Sequence, residues 1–173
     1  MYVDCRRSTN PRKFTTLLAQ ADSGRGVAIV YRWDASQNLT EAPSFSQTLV
    51  SGDPQSGAEF GFSVAVAPSL DGLDSCGYLI VGEPRHGSFE GGVYIYAWSD
   101  VARAYSLHQP KLKPVSVGSG DQFGNSLSAD DDVLVVGAQG GPGKNGTVGA
   151  VLAPACKLQT IEILWKGRNG GVV

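Results

Sequence analysis

The sequence predicts an all-β protein, and three observations predict it. First, a set of short segments returns in the same order: Glu59-Phe60-Gly61-Phe62-Ser63-Val64-Ala65-Val66, Tyr78-Leu79-Ile80-Val81-Gly82-Glu83-Pro84 and Gly91-Gly92-Val93-Tyr94-Ile95-Tyr96 come back as Gln122-Phe123-Gly124-Asn125-Ser126-Leu127-Ser128, Val133-Leu134-Val135-Val136-Gly137-Ala138-Gln139 and Gly146-Thr147-Val148-Gly149-Ala150-Val151. A period of roughly 60 residues marks an array of like supersecondary units. Second, the segments have strand periodicities, and no stretch keeps a 3.6-residue apolar rhythm. Third, glycines bracket them; glycine supplies the positive φ angles that tight turns between strands need.

Taken in order, each segment of the unit has its own reason to be extended. Phe62, Val64 and Val66 alternate with Ser63 and Ala65, as in a strand with two different faces. Tyr78–Val81 and Val133–Val136 are continuous apolar runs, expected as strands buried on both faces. Val93-Tyr94-Ile95-Tyr96 is β-branched and aromatic, which favours a pleated surface. The glycine after Phe60 or Phe123 lets two backbones approach while the ring fills the gap between units, worth roughly 2 kcal/mol of burial each.

The order Phe-Gly, then an apolar strand ending Val-Gly-Glu-Pro or Val-Gly-Ala-Gln, then Gly-x-Val-Tyr-x-Tyr resembles FG-GAP repeats, which build the β-propeller of integrin alpha subunits and related surface proteins. A first, truncated copy has Phe14–Gln20 in place of the middle strand and Gly26-Val27-Ala28-Ile29-Val30-Tyr31 in the Gly-x-Val-Tyr place. The resemblance covers residues 14 to 155 and implies an incomplete β-propeller of about three four-stranded antiparallel blades. Its divisions are an irregular segment 1–13, a partial blade 14–57, a blade 58–118, and a blade 119–173 with a divergent end. Propellers close with ~4 to 8 blades, so the truncated first unit and the drift after Lys157 are read as marks of a fragment of a longer protein. An open arc leaves strand edges and blade faces uncovered, and those are expected to dock protein partners.

Composition narrows the function. Net charge is −2, which makes no electrostatic case for nucleic acid or an anionic membrane. The basic group Arg6-Arg7 with Arg12-Lys13 precedes the first strand and is read as a solvated end. No apolar run reaches the ~20 residues needed to span a bilayer, and no secretory leader is evident. Cys5, Cys76 and Cys156 are odd in number and widely spaced, so no rule selects a pairing, and idle thiols are the reading adopted. Asn38-Leu39-Thr40 and Asn145-Gly146-Thr147 are glycosylation sequons, with Asn38 and Asn145 as acceptors on an extracellular or cell-surface protein.

Catalytic and metal chemistry find little to work with. Integrin-type repeats can carry a calcium loop, and here its place is held by Asp71-Gly72-Leu73-Asp74-Ser75-Cys76-Gly77. Calcium needs several converging oxygens; Asp71 and Asp74 are the candidate ligands, but Leu73 stands where an acid is needed, so no cofactor is expected. The next copy shortens this loop to Ala129-Asp130-Asp131-Asp132, read as a solvated turn. His86 and His108 lack a serine elbow or triad pattern, Glu59, Glu83 and Glu90 are scattered near strand ends, and Gly137–Lys144 lacks the ending of a phosphate loop. A non-enzymatic interaction or adhesion module is expected, with a structural accessory subunit or the propeller portion of a hydrolase such as a phospholipase as alternatives. The candidate ligand-binding loops are Arg85, His86, Phe89 and Glu90 in one connection and Gln139, Lys144 and Asn145 in its equivalent.

Overall fold

The computed structural model describes residues 2–3, 13–19, 24–33, 44–67, 77–99, 101–114, 117–130, 133–140, 147–152 and 162–166. Among the described residues the chain is all-β, with almost no helix. Strands β1 (Tyr2–Val3), β2 (Lys13–Ala19), β3 (Val27–Trp33) and β4 (Ser44–Leu49) form a first antiparallel sheet in sequence order. Strands β5 (Ser63–Ala67), β6 (Tyr78–Gly82), β7 (Val93–Ser99) and β8 (Ala104–Leu112) form a second, with one helical turn α1 (His86–Phe89) between β6 and β7. Strands β9 (Phe123–Asp130), β10 (Val133–Ala138), β11 (Thr147–Leu152) and β12 (Glu162–Lys166) form a third. Among the described residues, no helix is long and apolar enough to cross a membrane.

Two segments expected to be irregular or divergent contribute strands. Tyr2 and Val3 pair with Thr15 and Phe14, so the first sheet reaches into residues 1–13. Glu162–Lys166 pairs with Val148–Leu152 of β11. Cross-strand pairing, not local pattern, makes these short segments extended.

The second sheet is covered on both faces. Toward the first sheet it presents Val64, Leu79, Val81, Tyr94, Tyr96 and Tyr105, which pack with Ala28, Val30, Leu49 and Phe60. Toward the third it presents Ala65, Ile80, Val93 and Ile95, which pack with Phe123, Leu134, Val136 and Ala138. This double coverage explains the continuous apolar run of β6, in which Leu79–Val81 are all buried. The expectation of a doubly buried strand fails for β10. Leu134, Val136 and Ala138 are buried against the second sheet, whereas Val133 on the other face is 38% exposed. Phe62 also departs from its expected alternation: it precedes β5 and is 43% exposed, while Ala65 and Ala67 face inward beside Val64 and Val66. The small alanines let β9 approach β5 closely.

The two Phe-Gly segments join neighbouring sheets by the same device. Phe60 and Phe123 are both fully buried, the first between sheets one and two, the second between sheets two and three. The Phe60 N–H donates to Arg25 O (2.8 Å) and the Glu59 N–H to Gly24 O (3.0 Å). In the next copy Phe123 N–H donates to Glu90 O (2.9 Å) and Gln122 N–H to Phe89 O (2.8 Å). Glu59 and Gln122 both take the left-handed backbone, at φ 60° and 54°. Ser63 Oγ–H completes the second joint by donating to Gly124 O at 2.6 Å. A further tie between the first two sheets is Gln47, whose side-chain amide both donates to Tyr105 O (2.9 Å) and accepts from its N–H (2.8 Å).

Candidate functional site

The connection from β6 to β7 is where the notable side chains meet. Helical geometry lapses inside it, at Gly87 (φ 64°, ψ −144°) and Ser88, so the segment is a folded turn with its backbone bonded to neighbours. Arg85 N–H donates to Ala58 O (3.2 Å), Gly87 N–H to Gln55 Oε1 (3.0 Å) and Gly91 N–H to His86 O (3.1 Å). Gly120 N–H and Ser119 Oγ–H both reach Ser88 O, at 3.0 and 2.9 Å. The turn is therefore gripped by the linker before β5 on one side and by the linker before β9 on the other.

Beneath it lies Glu83, which is completely buried. Tyr94 O–H donates to Glu83 Oε2 at 2.9 Å. With that proton committed, the Ser51 hydroxyl, 2.9 Å away, donates to the Tyr94 oxygen, and Asp53 N–H donates in turn to Ser51 Oγ (3.3 Å). The bonds thus run in one direction and end on the carboxyl. Glu83 Oε1 is buried without a hydrogen-bond partner. Burial pushes the Glu83 carboxyl above its ordinary range, against the hydrogen bond from Tyr94 and the charges of His86 and Lys111. Burial, joined by the Glu83 charge, likewise raises the Tyr94 hydroxyl, and it raises Tyr96 to about 12.

The sign of the pH dependence follows. A carboxyl raised by folding binds its proton more tightly folded than unfolded, so its contribution is complete below the unfolded value near 4.5 and is lost as pH rises through the folded value. Glu83→Gln removes this titration. The Tm of the variant, relative to wild type, is expected to climb between pH 5 and pH 8, with about 2–4 °C for each kcal/mol involved. A difference that stays flat across that range would show that folding does not raise the Glu83 carboxyl above its unfolded value.

Around the buried acid, the charged side chains pair off. Arg85 Nη1 is 2.6 Å from Glu59 Oε1, His86 Nε2 is 3.0 Å from Asp53 Oδ2, and Lys113 Nζ is 2.5 Å from Glu90 Oε2. The Lys113 hydrogen bond and charge hold the half-buried Glu90 carboxyl below its usual range. Phe89 is 48% exposed, with the Arg85 guanidinium 6.0 Å from its ring centre. Its φ is +59°, where the matching position of the first copy is Gly24 at +76°.

Residues 108–152 match the family model of the FG-GAP repeat, a span running from within β8 to the end of β11. The chain carries an FG-GAP repeat. No curated protein matches the chain significantly. The matched repeat includes Phe123-Gly124, the joint between sheets two and three, and the Gly137 of β10, which pairs with Ser126 as Gly82 pairs with Ser63.

Against this geometry the sequence-based candidates sort clearly. Arg85, His86, Phe89 and Glu90 lie together in one turn, but Arg85, His86 and Glu90 are engaged by Glu59, Asp53 and Lys113. Gln139 accepts from Asn125 Nδ2 at 3.2 Å just after β10. Lys144, Asn145, Asn38, Asp71, Asp74 and the three cysteines lie outside the described residues. Among the described residues, no three His, Cys, Asp or Glu side chains are placed to hold a metal ion. His108 stands apart, edge-on to Tyr78 with ring centres 5.1 Å apart. The polar group of Ser51, Asp53, Glu83, Tyr94 and Lys111 was not singled out by sequence reasoning. Its one sequence signal is Glu83 itself, a carboxylate where the next copy has Ala138.

Proposed function

We infer that this chain is a non-catalytic protein-interaction or adhesion module, an incomplete arc of an FG-GAP β-propeller that works outside the cell. The observation that carries this reading is the β6–β7 turn. It is bound from both sides by backbone hydrogen bonds, yet it leaves Phe89 half-exposed beside Arg85. A rigid aromatic anchor with a neighbouring arginine is the composition of an interface hot spot. Its ionisable side chains, Arg85, His86 and Glu90, are tied into pairs that brace the turn, which favours recognition over group transfer.

The test is adhesion of cells to surfaces coated with the chain. Phe89→Ala is expected to weaken attachment ~10-fold or more, the size of a hot-spot truncation, while Leu107→Ala, on the exposed part of β8, leaves it unchanged. Equal attachment to wild type and Phe89→Ala, or turnover of an ester substrate by the purified chain, would overturn the reading. A second reading, a structural subunit in a larger assembly, is favoured by the outer side of the third sheet, where Ser126, Ser128 and Val133 are exposed. A stable stoichiometric complex lost on Val133→Lys would favour that reading.

A further inference from the structure

The joint between sheets two and three has a receiving side, and the chain builds that side twice. In sheet two it consists of Ser63 and Gly82, paired across β5 and β6. Ser63 Oγ–H donates to Gly124 O at 2.6 Å, and a β-carbon on Gly82 would collide with that same oxygen. The carbonyl of the Phe-Gly glycine thus rests on a serine hydroxyl over a bare glycine. The arriving residue must be small as well: a β-carbon on Gly124 would lie 2.6 Å from Gly92 O and 3.3 Å from Gly82 Cα, at φ +90°.

Sheet three repeats this seat in the same register. Ser126 pairs with Gly137 and Ser128 with Val135, as Ser63 pairs with Gly82 and Ala65 with Ile80. The two seats differ in cover. Ala65 and Ile80 are buried against sheet three, whereas Ser126, Ser128 and Val133 are exposed and Val135 and Gly137 are partly so. The three atoms nearest a β-carbon built on Gly137 all belong to Ser126, and among the described residues the Ser126 hydroxyl makes no hydrogen bond. Both Phe-Gly pairs of this chain, Phe60-Gly61 and Phe123-Gly124, are used in its own joints, so a second copy has none to offer.

We propose that Ser126 and Gly137 are the receiving half of a further joint, and that its occupant is a Phe-Gly segment opening a β-strand, carried by a partner other than a second copy of this chain. The inference rests on the reading of the third sheet as a docking face and names the chemistry that face takes. The Ser126 hydroxyl donates to the carbonyl of the partner's glycine, Gly137 leaves room for that carbonyl, and the partner's phenylalanine covers Val135 as Phe123 packs with Ile80. Serine at 128, where sheet two has Ala65, makes this face more polar than the buried one.

The experiment titrates the full chain with a synthetic peptide of residues 118–130, which carries Phe123-Gly124, and follows the backbone amide resonances by NMR. A Kd of about 1 mM or below is expected, with shifts centred on Ser126, Val135 and Gly137. Ser126→Ala removes the donor and is expected to weaken binding ~5-fold. Gly137→Ala places a methyl where the carbonyl lands and should abolish binding, while within the chain that methyl meets only the Ser126 hydroxyl, which can rotate aside. The Gly124→Ala peptide is expected not to bind. No shifts with the Phe-Gly peptide, binding that neither chain variant alters, or equal binding of the two peptides overturns the proposal. Should Gly137→Ala fail to fold, the two peptides on the wild-type chain decide. A Phe-Gly peptide that does not bind, beside a stoichiometric complex still lost on Val133→Lys, leaves the docking reading standing and overturns the Phe-Gly assignment alone. Dimerisation of the chain through this face, unaffected by the peptide, overturns it too.

Discussion

Phe123→Ala is expected to destabilise the chain by about 3–5 kcal/mol, the range for removing a fully buried phenylalanine. Phe123 has no exposed surface and fills the space between sheets two and three, packed with Ile80, Val93, Ile95, Leu134 and Val136. Its backbone is held by Glu90 O, so the site cannot easily close over the cavity left behind. Phe60→Ala should lose a similar amount, because Phe60 is equally buried and stands edge-on to Tyr94 and Tyr96, with centroids 5.4 and 6.5 Å away. Phe62→Ala is the control: the same residue type, two positions from Phe60, but 43% exposed, and it should cost less than ~1 kcal/mol. Urea unfolding measures all three. A Phe123→Ala chain within 1 kcal/mol of wild type would mean that the second and third sheets do not rely on that ring.

Gly91→Ala is expected to be of comparable severity for a different reason. Gly91 has φ +85°, and an added β-carbon would collide with the backbone carbonyl of Phe123, which cannot rotate aside. The left-handed backbone alone costs a non-glycine residue roughly 1–2 kcal/mol, and the collision adds to it by forcing the third sheet away from the second. Two other glycines separate these contributions. Gly57 has φ +76° with nothing within 4 Å of its would-be β-carbon, so Gly57→Ala should show the backbone cost alone. Gly52 has neither problem, and Gly52→Ala should be close to neutral. The order Gly91, Gly57, Gly52 in loss of Tm is the expected result. Equal melting of the Gly91 and Gly57 variants would remove the steric part of the joint. Gly26, whose β-carbon would meet Phe60 O at φ +81°, should behave as Gly91 does, since the same joint recurs between sheets one and two.

Much of this architecture was legible in the residues themselves. Phe60-Gly61 and Phe123-Gly124 marked the joints, and Leu79–Val81 and Val93–Tyr96 marked the central strands of the second sheet. What could not be read was the company each strand keeps. Val133–Val136 has the same apolar run as β6, yet its alternate residues differ in burial because only one face of β10 meets the second sheet. Tyr2–Val3 is too short for a pattern and becomes a strand through Phe14 and Thr15. In the turn, Arg85 and Glu90 had the composition of exposed recognition residues. Their commitment to Glu59 and Lys113 arises from segments more than twenty positions away in the chain.

Sequence alone determined that this protein is a succession of short antiparallel strands, jointed at Phe-Gly. Those properties reside in one residue's φ and ψ or in the two-residue period of side chains, and both are carried by a few neighbouring positions. Only the tertiary structure decided that Glu83 is buried with one carboxyl oxygen unpartnered, that Lys111 lies against His86, and that Phe89 stays half in solvent. Desolvation and charge pairing act through space, so they are set by which sheets and linkers come to rest beside a side chain.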